Sequence, residues 1–322
     1  MKSLEDSPLK YEQFYRPLYL IRRVEEEIAK VYPTDKIKSP IHLSLGQESI
    51  SVGVCAALRH DDIVFGTYRS HALYLAKGGD LNRMIAELYG KATGCAKGKG
   101  GSMHLIDTQA GVMGTSAIVG STIPQAVGYA YAMKFYKRDS VVVSFFGDGA
   151  VEEGVFHESL NFAALKELPV VFVCENNLYA VHSHQKERQS MTNISERGRA
   201  YNIPSVRIDD SDVGIIYEKM RQAIEEIRTG GCGPRLFECM TYRWKEHVGP
   251  QEDYEAGYRS KREAEPWLKK DHVKNIGGLL EPEERLRIES EVEDEVRKAF
   301  EFAEQSPFPD DDELYSDVFA EA

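Results

Sequence analysis

The fold is decided by residues 140–177, which read SVVVSFFGDGAVEEGVFHESLNFAALKELPVVFVCENN. Two apolar runs of strand length, 140–146 and 169–174, flank a segment over 152–166 whose apolar residues recur at helical spacing. A strand, a helix and a second strand in this order predict a right-handed βαβ crossover with two parallel strands. Because both runs are apolar on both faces, we expect an α/β fold with a mostly parallel sheet and helices on both of its faces.

Outward from this unit, apolar periodicity predicts further elements around the same sheet. Helices are expected over 10–32, 47–59, 80–91, about 120–136, 213–228 and 281–304, and a strand over 235–241. Pro17 indicates a break or a new start within the first helix. Residues 94–102 are too rich in glycine for a helix or strand, 243–266 are polar and irregular, and the tail after 305 is extended or turn-rich. We expect one domain over 1–322, with an N-terminal helical segment and a C-terminal helix plus tail.

Composition narrows the class of protein. The chain has 322 residues, 42% of them apolar, and a formal net charge of -12. Nucleic-acid binding is not expected, because it depends on Lys and Arg that neutralise phosphates. If the ligand is an anion, specific arginines or a metal must make its site positive.

Composition also indicates a compartment. Five cysteines form no C-x-x-C pair and predict buried free thiols in a reducing compartment: Cys55, Cys95, Cys174, Cys232 and Cys239. The N-terminus has no apolar core of a secretory signal, and no run approaches the roughly 18 apolar residues of a membrane span. A cytoplasmic protein is expected.

Polar side chains follow both strands of the βαβ unit. Asp148 follows the first strand and Asn177 the second, so parallel pairing brings both to one edge of the sheet. A carboxylate and an amide oxygen suit Mg²⁺, which completes its shell with phosphates and water. Gly147 and Gly149 let the backbone turn sharply and approach a ligand. Taken alone, Asp148 is a helix cap and Asn177 part of a turn; their combined spacing and topology favour a metal site for a diphosphate.

Other phosphate and metal sites fail on spacing. A dinucleotide-binding fingerprint needs glycine where Glu152 stands, and a Walker A loop needs Ser or Thr where Gly100 stands. No H-E-x-x-H zinc motif exists. His182 and His184 form an alternate pair with no third ligand, which is more typical of solvated loop histidines.

The GDG…NN stretch matches the thiamine diphosphate motif, and the chain resembles, nearly end to end, the alpha subunit of the thiamine-dependent first component of 2-oxo acid dehydrogenase complexes. This family includes pyruvate, branched-chain and acetoin types. Further motifs stand in the family's order: HLSLGQE at 42–48, TYRSH at 67–71, CAKGKGGSMH at 95–104, IVG at 118–120 and TYRWKEH at 241–247.

The resemblance implies a cofactor site for thiamine diphosphate and Mg²⁺. Asp148, Asn177 and the carbonyl of Tyr179 would bind the metal. The backbone N–H groups of Gly149 and Ala150 would contact the diphosphate. Its phosphate oxygens would be held by Tyr68, Arg69 and Arg243, and the aminopyrimidine by backbone groups of Ala117 and Val119. Ala117 departs from a frequent glycine of the pyruvate type, a change that a backbone contact tolerates.

The resemblance also implies two catalytic histidines. His247 would lie near the diphosphate and the reacting carbon, and His42 would line the approach of the substrate. The alternatives are a solvent-facing loop histidine and a core histidine bonded to backbone. His71 and His104 are expected to be structural. Val248 and Gly257 stand where regulated members carry phosphorylated serines, so kinase control at these positions is not expected.

As the resemblance has it, such an alpha subunit forms an α2β2 heterotetramer with a beta subunit, which supplies the activating glutamate. The enzyme decarboxylates pyruvate or a related 2-oxo acid, or cleaves acetoin, and passes the acyl group to a lipoyl acyltransferase. Two alternatives remain: one half of a split transketolase-like transferase, and a cofactor-binding subunit with a role in assembly. The helical N-terminal region and TYRSH favour the dehydrogenase, and Arg69, Arg243 and His247 argue against an inactive subunit.

Overall fold

A computed structural model describes residues 8–230, 233–316 and 318. Its strands are β1 (Ile63–Thr67), β2 (Val112–Ser116), β3 (Val142–Gly147), β4 (Val170–Asn176), β5 (Tyr179–Ala180), β6 (Ser183–His184), β7 (Ser205–Ile208) and β8 (Arg235–Met240). Six of them form one sheet in the order β2-β1-β3-β4-β8-β7, and every neighbouring pair is parallel. β5 and β6 form a separate antiparallel hairpin. The predicted parallel α/β fold is confirmed.

Helices cover both faces of this sheet. They are α1 (Pro8–Val31), α2 (Glu48–Ala56), α3 (His71–Ala76), α4 (Leu81–Leu88), α5 (Thr122–Phe135), α6 (Gly154–Leu165), α7 (Gln185–Arg188), α8 (Val213–Gly230), α9 (Lys261–Lys269), α10 (His272–Gly277) and α11 (Pro282–Gln305). Short 3₁₀ turns lie at Tyr32–Thr34, Gly101–Met103, Asp148–Glu152, Ile194–Tyr201 and Asp311–Tyr315.

β3 shows how the sheet separates two cores. Val143 and Phe145 belong to the larger core, which contains buried residues of α1, α2, α4, α8 and α11. Val142 and Phe146 point to the opposite face and belong to a second core with α5 and α6. Since successive side chains of a strand alternate between faces, a continuous apolar run is what a sheet covered on both sides requires.

The predicted elements are confirmed to within a few residues, with two exceptions. Pro17 lies inside a continuous α1, so the expected break is wrong. The region 243–266 is not irregular throughout, because α9 begins at Lys261, where the Ser260 side chain caps the helix by accepting a hydrogen bond from the Glu263 N–H. Three strands of the sheet, β1, β2 and β7, were not predicted.

Four cysteines, Cys55, Cys95, Cys174 and Cys239, are buried free thiols as predicted. Cys232 lies outside the described residues, as do the last residues of the predicted tail, 319–322. In the part of the chain that the structure describes, no helix is long and apolar enough to cross a membrane.

Candidate functional site

A cleft of about 250 Å³ lies at the edge of the sheet where β3 and β4 end. These strands pair in register, with Gly147 beside Glu175, so Asp148 and Asn177 follow at neighbouring positions. Of the residues predicted for the site, the cleft is lined by Tyr68, Arg69, Val119, Asp148, Gly149, Ala150, Asn177, Tyr179 and His247. The fold thus brings together residues from five separate parts of the sequence.

Asp148 begins the 3₁₀ turn after β3, and its side chain is only 2% exposed. Burial raises the pKa of its carboxyl above the ordinary value, while the cation of Arg188, which is paired with the carboxylate, opposes this shift. The Asp148 carbonyl accepts a hydrogen bond from Gln189 Nε2 at 2.9 Å. The carboxylate is therefore buried and held by a later segment of the chain.

Asn177 is fixed from both sides of its amide. Its Nδ2 donates to Gln47 Oε1 at 3.0 Å, and its Oδ1 accepts from the Tyr179 N–H at 3.2 Å. The chain turns here through Leu178, which has a left-handed φ of 73°. Gln47 comes from the segment before α2. The Asn177 amide is therefore oriented in the cleft by a residue distant in sequence, which bonds its nitrogen.

Gly149 lies tightly against the β5–β6 hairpin. A Cβ atom at this position would come within 2.9 Å of the Ala180 Cβ. The close approach requires glycine at this position, and the reason that the structure gives is packing against the hairpin; the predicted approach to a ligand stays a prediction.

His42 forms a cluster with Tyr68 and His247, two residues that line the cleft. The His42 ring centroid lies 4.5 Å from that of Tyr68 and 5.1 Å from that of His247. Arg69 donates from Nη1 to the Leu43 carbonyl at 2.7 Å and from Nη2 to the His247 carbonyl at 3.0 Å. His247 is thus a half-buried residue of the cleft wall, and Arg69 ties its loop to the segment that contains His42.

Burial decides the charge of this cluster. It lowers the pKa of His247 to about 3 and that of His42 to about 2, and the Arg69 cation adds to both shifts. Burial also lowers the pKa of Arg69 itself to about 10, which leaves it a cation at neutral pH. Both imidazoles are therefore neutral at pH 7, each with one donor nitrogen and one acceptor nitrogen.

Arg243, Ala117 and His42 are not among the residues that line the cleft. The Arg243 guanidinium is buried and donates to the carbonyls of Lys245 and Val181 and to Asp253 and the Tyr258 hydroxyl. Its Nε has no acceptor among the described residues, and neither has His42 Nδ1 a partner there. Ala117 lies half-buried between Ser116 and Ile118, which do line the cleft.

Three other histidines lie outside the cleft. His71 is fully buried between Glu25 (3.2 Å) and Ser102 (2.8 Å), which fits its expected structural role. His182 and His184 contact the rings of Tyr258 and Tyr179. The described residues contain no group of three or more His, Cys, Asp or Glu that could hold a metal ion, so a metal site here would depend on amide and carbonyl oxygens besides Asp148.

Sequence reasoning missed several residues of the site. Glu175 lines the cleft, and burial raises the pKa of its carboxyl to about 8 against the lowering effect of Arg69. Gln47 and Glu175 stand inside quoted motifs, HLSLGQE and ENN, so their positions were visible although their contacts were not. Arg188 carried no motif signal, because only the folded chain places it on Asp148.

Comparison with known proteins assigns the chain to a family. The model of the dehydrogenase E1 component family matches residues 16–311. The alpha subunit of acetoin:2,6-dichlorophenolindophenol oxidoreductase from Bacillus subtilis is 40% identical over 95% of this chain and 92% of that protein. The pyruvate dehydrogenase E1 component subunit alpha of Rhizobium meliloti is 36% identical over 94% of this chain and 88% of that protein.

A chloroplastic pyruvate dehydrogenase E1 component subunit alpha-3 from Arabidopsis thaliana is 37% identical over 96% of this chain and 74% of that protein. The match therefore spans nearly the whole chain and includes every segment that builds the cleft. The chain belongs to the dehydrogenase E1 component family, as one of its alpha subunits, and is an oxidoreductase that acts as one subunit of its enzyme.

Proposed function

We propose that this alpha subunit binds thiamine diphosphate through Mg²⁺ and acts on pyruvate, a related 2-oxo acid or acetoin. The observation that carries the proposal is the convergence of two groups of residues on one cleft. Asp148, Asn177 and Tyr179 line the cleft with oxygen ligands, and Arg69 and His247 line it with cationic and neutral donors.

The oxygen ligands fit a small hard cation. Gln47 accepts from the Nδ2 of Asn177, which leaves Oδ1 as the accepting atom of an amide that lines the same cleft as Asp148. With the Tyr179 carbonyl this makes three protein oxygens, a set that leaves room for phosphate and water ligands of Mg²⁺. We propose these three residues as the metal ligands.

The donor groups fit a diphosphate. The backbone N–H groups of Gly149 and Ala150 lie on the 3₁₀ turn at the cleft, where an anion gains from aligned peptide dipoles. Arg243 Nε is a buried donor without an acceptor among the described residues, which a phosphate oxygen would satisfy. With Tyr68 and Arg69, these groups form the proposed grip on the phosphates, and backbone groups of Ala117 and Val119 are proposed to contact the aminopyrimidine.

When bound, thiamine diphosphate supplies the electron-accepting group that decarboxylation of a 2-oxo acid requires. The chain's own contribution is orientation. His247, neutral because burial and Arg69 lower its pKa to about 3, offers one hydrogen-bond donor and one acceptor nitrogen beside the cleft. His42 contacts both His247 and Tyr68, so we propose that it lines the approach of the substrate.

A second chain is proposed to complete the site. Ile118 and Val119 at the cleft rim are 70% and 45% exposed, and Tyr131, Phe135 and Leu165 of α5 and α6 are exposed as well. Apolar exposure on this scale is typical of a contact surface. We propose that a beta subunit covers it in an α2β2 heterotetramer and supplies an activating glutamate, and that the acyl group passes to a lipoyl acyltransferase. The buried free thiols fit a reducing compartment such as the cytoplasm.

The metal assignment is tested with Asp148→Ala. We expect Mg²⁺-dependent binding of thiamine diphosphate, measured by calorimetry, to weaken more than about hundredfold, which is roughly 2.7 kcal/mol. The control is Asp139→Ala, an exposed carboxylate before the opposite end of β3. Unchanged affinity in Asp148→Ala would refute the assignment.

The reaction is tested with a substrate panel on the subunit co-purified with its beta partner, with a dye as electron acceptor. Dye reduction with 2-oxo acids or acetoin supports the dehydrogenase, and transfer between sugar phosphates without dye reduction would identify a transketolase-like enzyme instead. Complete decarboxylation by the isolated alpha subunit would contradict the shared site.

A further inference from the structure

The segment after Asn177, residues 178–197, folds back over the turn that carries Asp148. It forms the β5–β6 hairpin and the single turn of α7. Gln189, the residue after α7, holds the segment against this turn. Its Nε2 donates to the Asp148 carbonyl at 2.9 Å and to Glu152 Oε1 at 2.8 Å. The last residue of α7, Arg188, is thereby placed directly on the proposed metal ligand.

Arg188 uses all three of its nitrogens locally. Nη2 contacts the Asp148 carboxylate, Nη1 contacts the Glu152 carboxylate, and Nε donates to the Ser183 carbonyl at 3.1 Å. Its side chain is 12% exposed against 2% for Asp148. The contact is therefore a nearly buried ion pair, in which one guanidinium neutralises two carboxylates.

A buried carboxylate without a cation is costly, so Asp148 stays ionised only with a positive group beside it. In this structure the cation is Arg188. A divalent metal on Asp148 would meet the guanidinium, because two cations on one carboxylate repel each other at short range. Arg188 and the metal are thus alternative partners of the same group.

We propose that Arg188 is an internal counter-cation that occupies the Asp148 carboxylate in the cofactor-free subunit and is displaced when Mg²⁺ and the diphosphate bind. The inference rests on the proposed function. Its consequence is that Arg188 stabilises the unliganded subunit and lowers its affinity for the metal–cofactor pair.

The surroundings of Arg188 permit this exchange. Apart from the two carboxylates its guanidinium has one partner, a backbone carbonyl within its own segment. Glu152 is more exposed than Asp148, with 36% of its side chain accessible, and can keep the guanidinium at the rim of the cleft after Asp148 is released. Displacement therefore requires a change of side-chain conformation rather than unfolding of the segment.

The opposite role is a direct contact between Arg188 and the diphosphate, since a guanidinium is a good phosphate ligand and Nη1 lies 3.8 Å from a Cβ built on Gly149. The two roles predict opposite signs. A competing cation lowers the affinity for Mg²⁺ and thiamine diphosphate, and its removal raises it. A phosphate ligand raises the affinity, and its removal lowers it.

The experiment compares the full-length wild type with Arg188→Gln by calorimetry, titrating thiamine diphosphate at fixed Mg²⁺ and Mg²⁺ at fixed thiamine diphosphate. We expect the variant to bind the pair at least about tenfold more tightly. We also expect it to unfold at a lower temperature than the wild type without ligand and to gain more from saturating ligand, since the bare Asp148 carboxylate costs stability only until the metal arrives. The matched control is Lys186→Gln, which removes an equal charge from the exposed side of α7 and should leave affinity unchanged.

Affinity in Arg188→Gln that is equal to or weaker than that of the wild type overturns the inference and leaves the proposed function standing, provided that the wild type binds. A wild type that binds neither Mg²⁺ nor thiamine diphosphate, alone or with its beta partner, overturns the proposed function and the inference with it. A melting temperature of the unliganded variant equal to that of the wild type also overturns the inference.

Discussion

The Gly-rich loop over 94–101 depends on one buried carboxylate, which makes Glu87→Gln an informative change. Glu87 is fully buried at the end of α4. Its Oε2 accepts from the N–H groups of Ala96 (2.7 Å) and Gly98 (2.9 Å), and its Oε1 from those of Gly100 (2.7 Å) and Gly101 (3.0 Å). These four hydrogen bonds from the loop to the Glu87 carboxylate explain how a segment with little apolar content keeps a defined conformation.

The free-energy cost of Glu87→Gln follows from the number of hydrogen bonds that the loop loses. Glutamine keeps one oxygen, which can serve two of the four N–H groups, and replaces the other with an NH₂ group that faces two donors. Hydrogen bonds to a charged group contribute about 1.5–3 kcal/mol each, so losing two of them costs about 3–6 kcal/mol. If the loop opens by itself, this raises its open population by roughly two orders of magnitude or more, since about 1.4 kcal/mol is a factor of ten.

Cys95 reports on this opening. It lies in the loop, and its thiol is buried, which raises the pKa of the thiol to about 11. We expect thiol labelling at Cys95, located by mass spectrometry, to accelerate about hundredfold or more in Glu87→Gln, and the urea midpoint to fall. The control is Glu158→Gln, an exposed glutamate of α6, with an expected change within about 0.5 kcal/mol. A labelling rate at Cys95 within twofold of the wild type would refute the reasoning.

Two further changes test the cleft. Gly149→Ala places a Cβ within 2.9 Å of the Ala180 Cβ, so the turn must separate from the hairpin; we expect thiamine diphosphate to bind about tenfold more weakly by calorimetry. Gly154→Ala, where a Cβ meets nothing within 4 Å, is its control, and equal losses in both variants would contradict the packing argument. Burial lowers the pKa of His42 from 6.5 in the unfolded chain to about 2 in the folded one. Below pH 6.5 the unfolded chain therefore binds a proton at this histidine that the folded chain does not bind. The contribution of neutral His42 to folding stability is thus fully present above pH 6.5 and is lost as the pH falls. We therefore expect the melting temperature of His42→Asn to fall less between pH 6.5 and 4.5 than that of His60→Asn, a control change of an exposed histidine. Equal decreases in the two variants would show that His42 titrates normally.

The sequence predicted the centre of this fold better than its edges, for a physical reason. β3 and β4 are continuous apolar runs because helices cover both faces, and such runs are readable without a structure. β1, β2 and β7 are five, five and four residues long, and β2, VMGTS, is only partly buried. A strand this short has no pattern that separates it from a loop, and only pairing with a neighbour defines it: β1 with β3, β2 with β1, and β7 with β8.

The residues of the candidate site likewise fall into some that the sequence predicts and some that it cannot. Asp148 and Asn177 were predictable because their positions relative to two strand ends follow from chain direction alone. Arg243 was predicted at the cleft by its motif, and in the structure its guanidinium donates to Asp253, to the Lys245 carbonyl of its own loop and to the carbonyl of Val181, a residue that lines the cleft. Arg188 could not be predicted, because its contact with Asp148 depends on how residues 178–197 fold back, which no local pattern encodes.

The chain is acidic, yet the ligand proposed for it is an anion. Both can hold because one buried cation at the cleft has no counter-ion among the residues that the structure describes. Arg69 is buried and makes no ion pair with any described residue; its guanidinium bonds to the backbone carbonyls of Leu43 and His247 and lies within 3.4 Å of His247 Nδ1. The carboxyl that faces it, Glu175, has its pKa raised to about 8 by burial, so at neutral pH it is mostly protonated and does not cancel the charge. Burial likewise keeps His42 and His247 neutral. A net charge of -12 therefore coexists with a buried cation at the cleft, which the carboxylates of Asp148, Glu152 and Glu153 also line. The exposed carboxylates are screened by water, while the Arg69 cation acts in a medium of low dielectric constant. A phosphate bound beside Arg69 would offset the cost of burying that cation, which supports the anionic ligand proposed for the cleft.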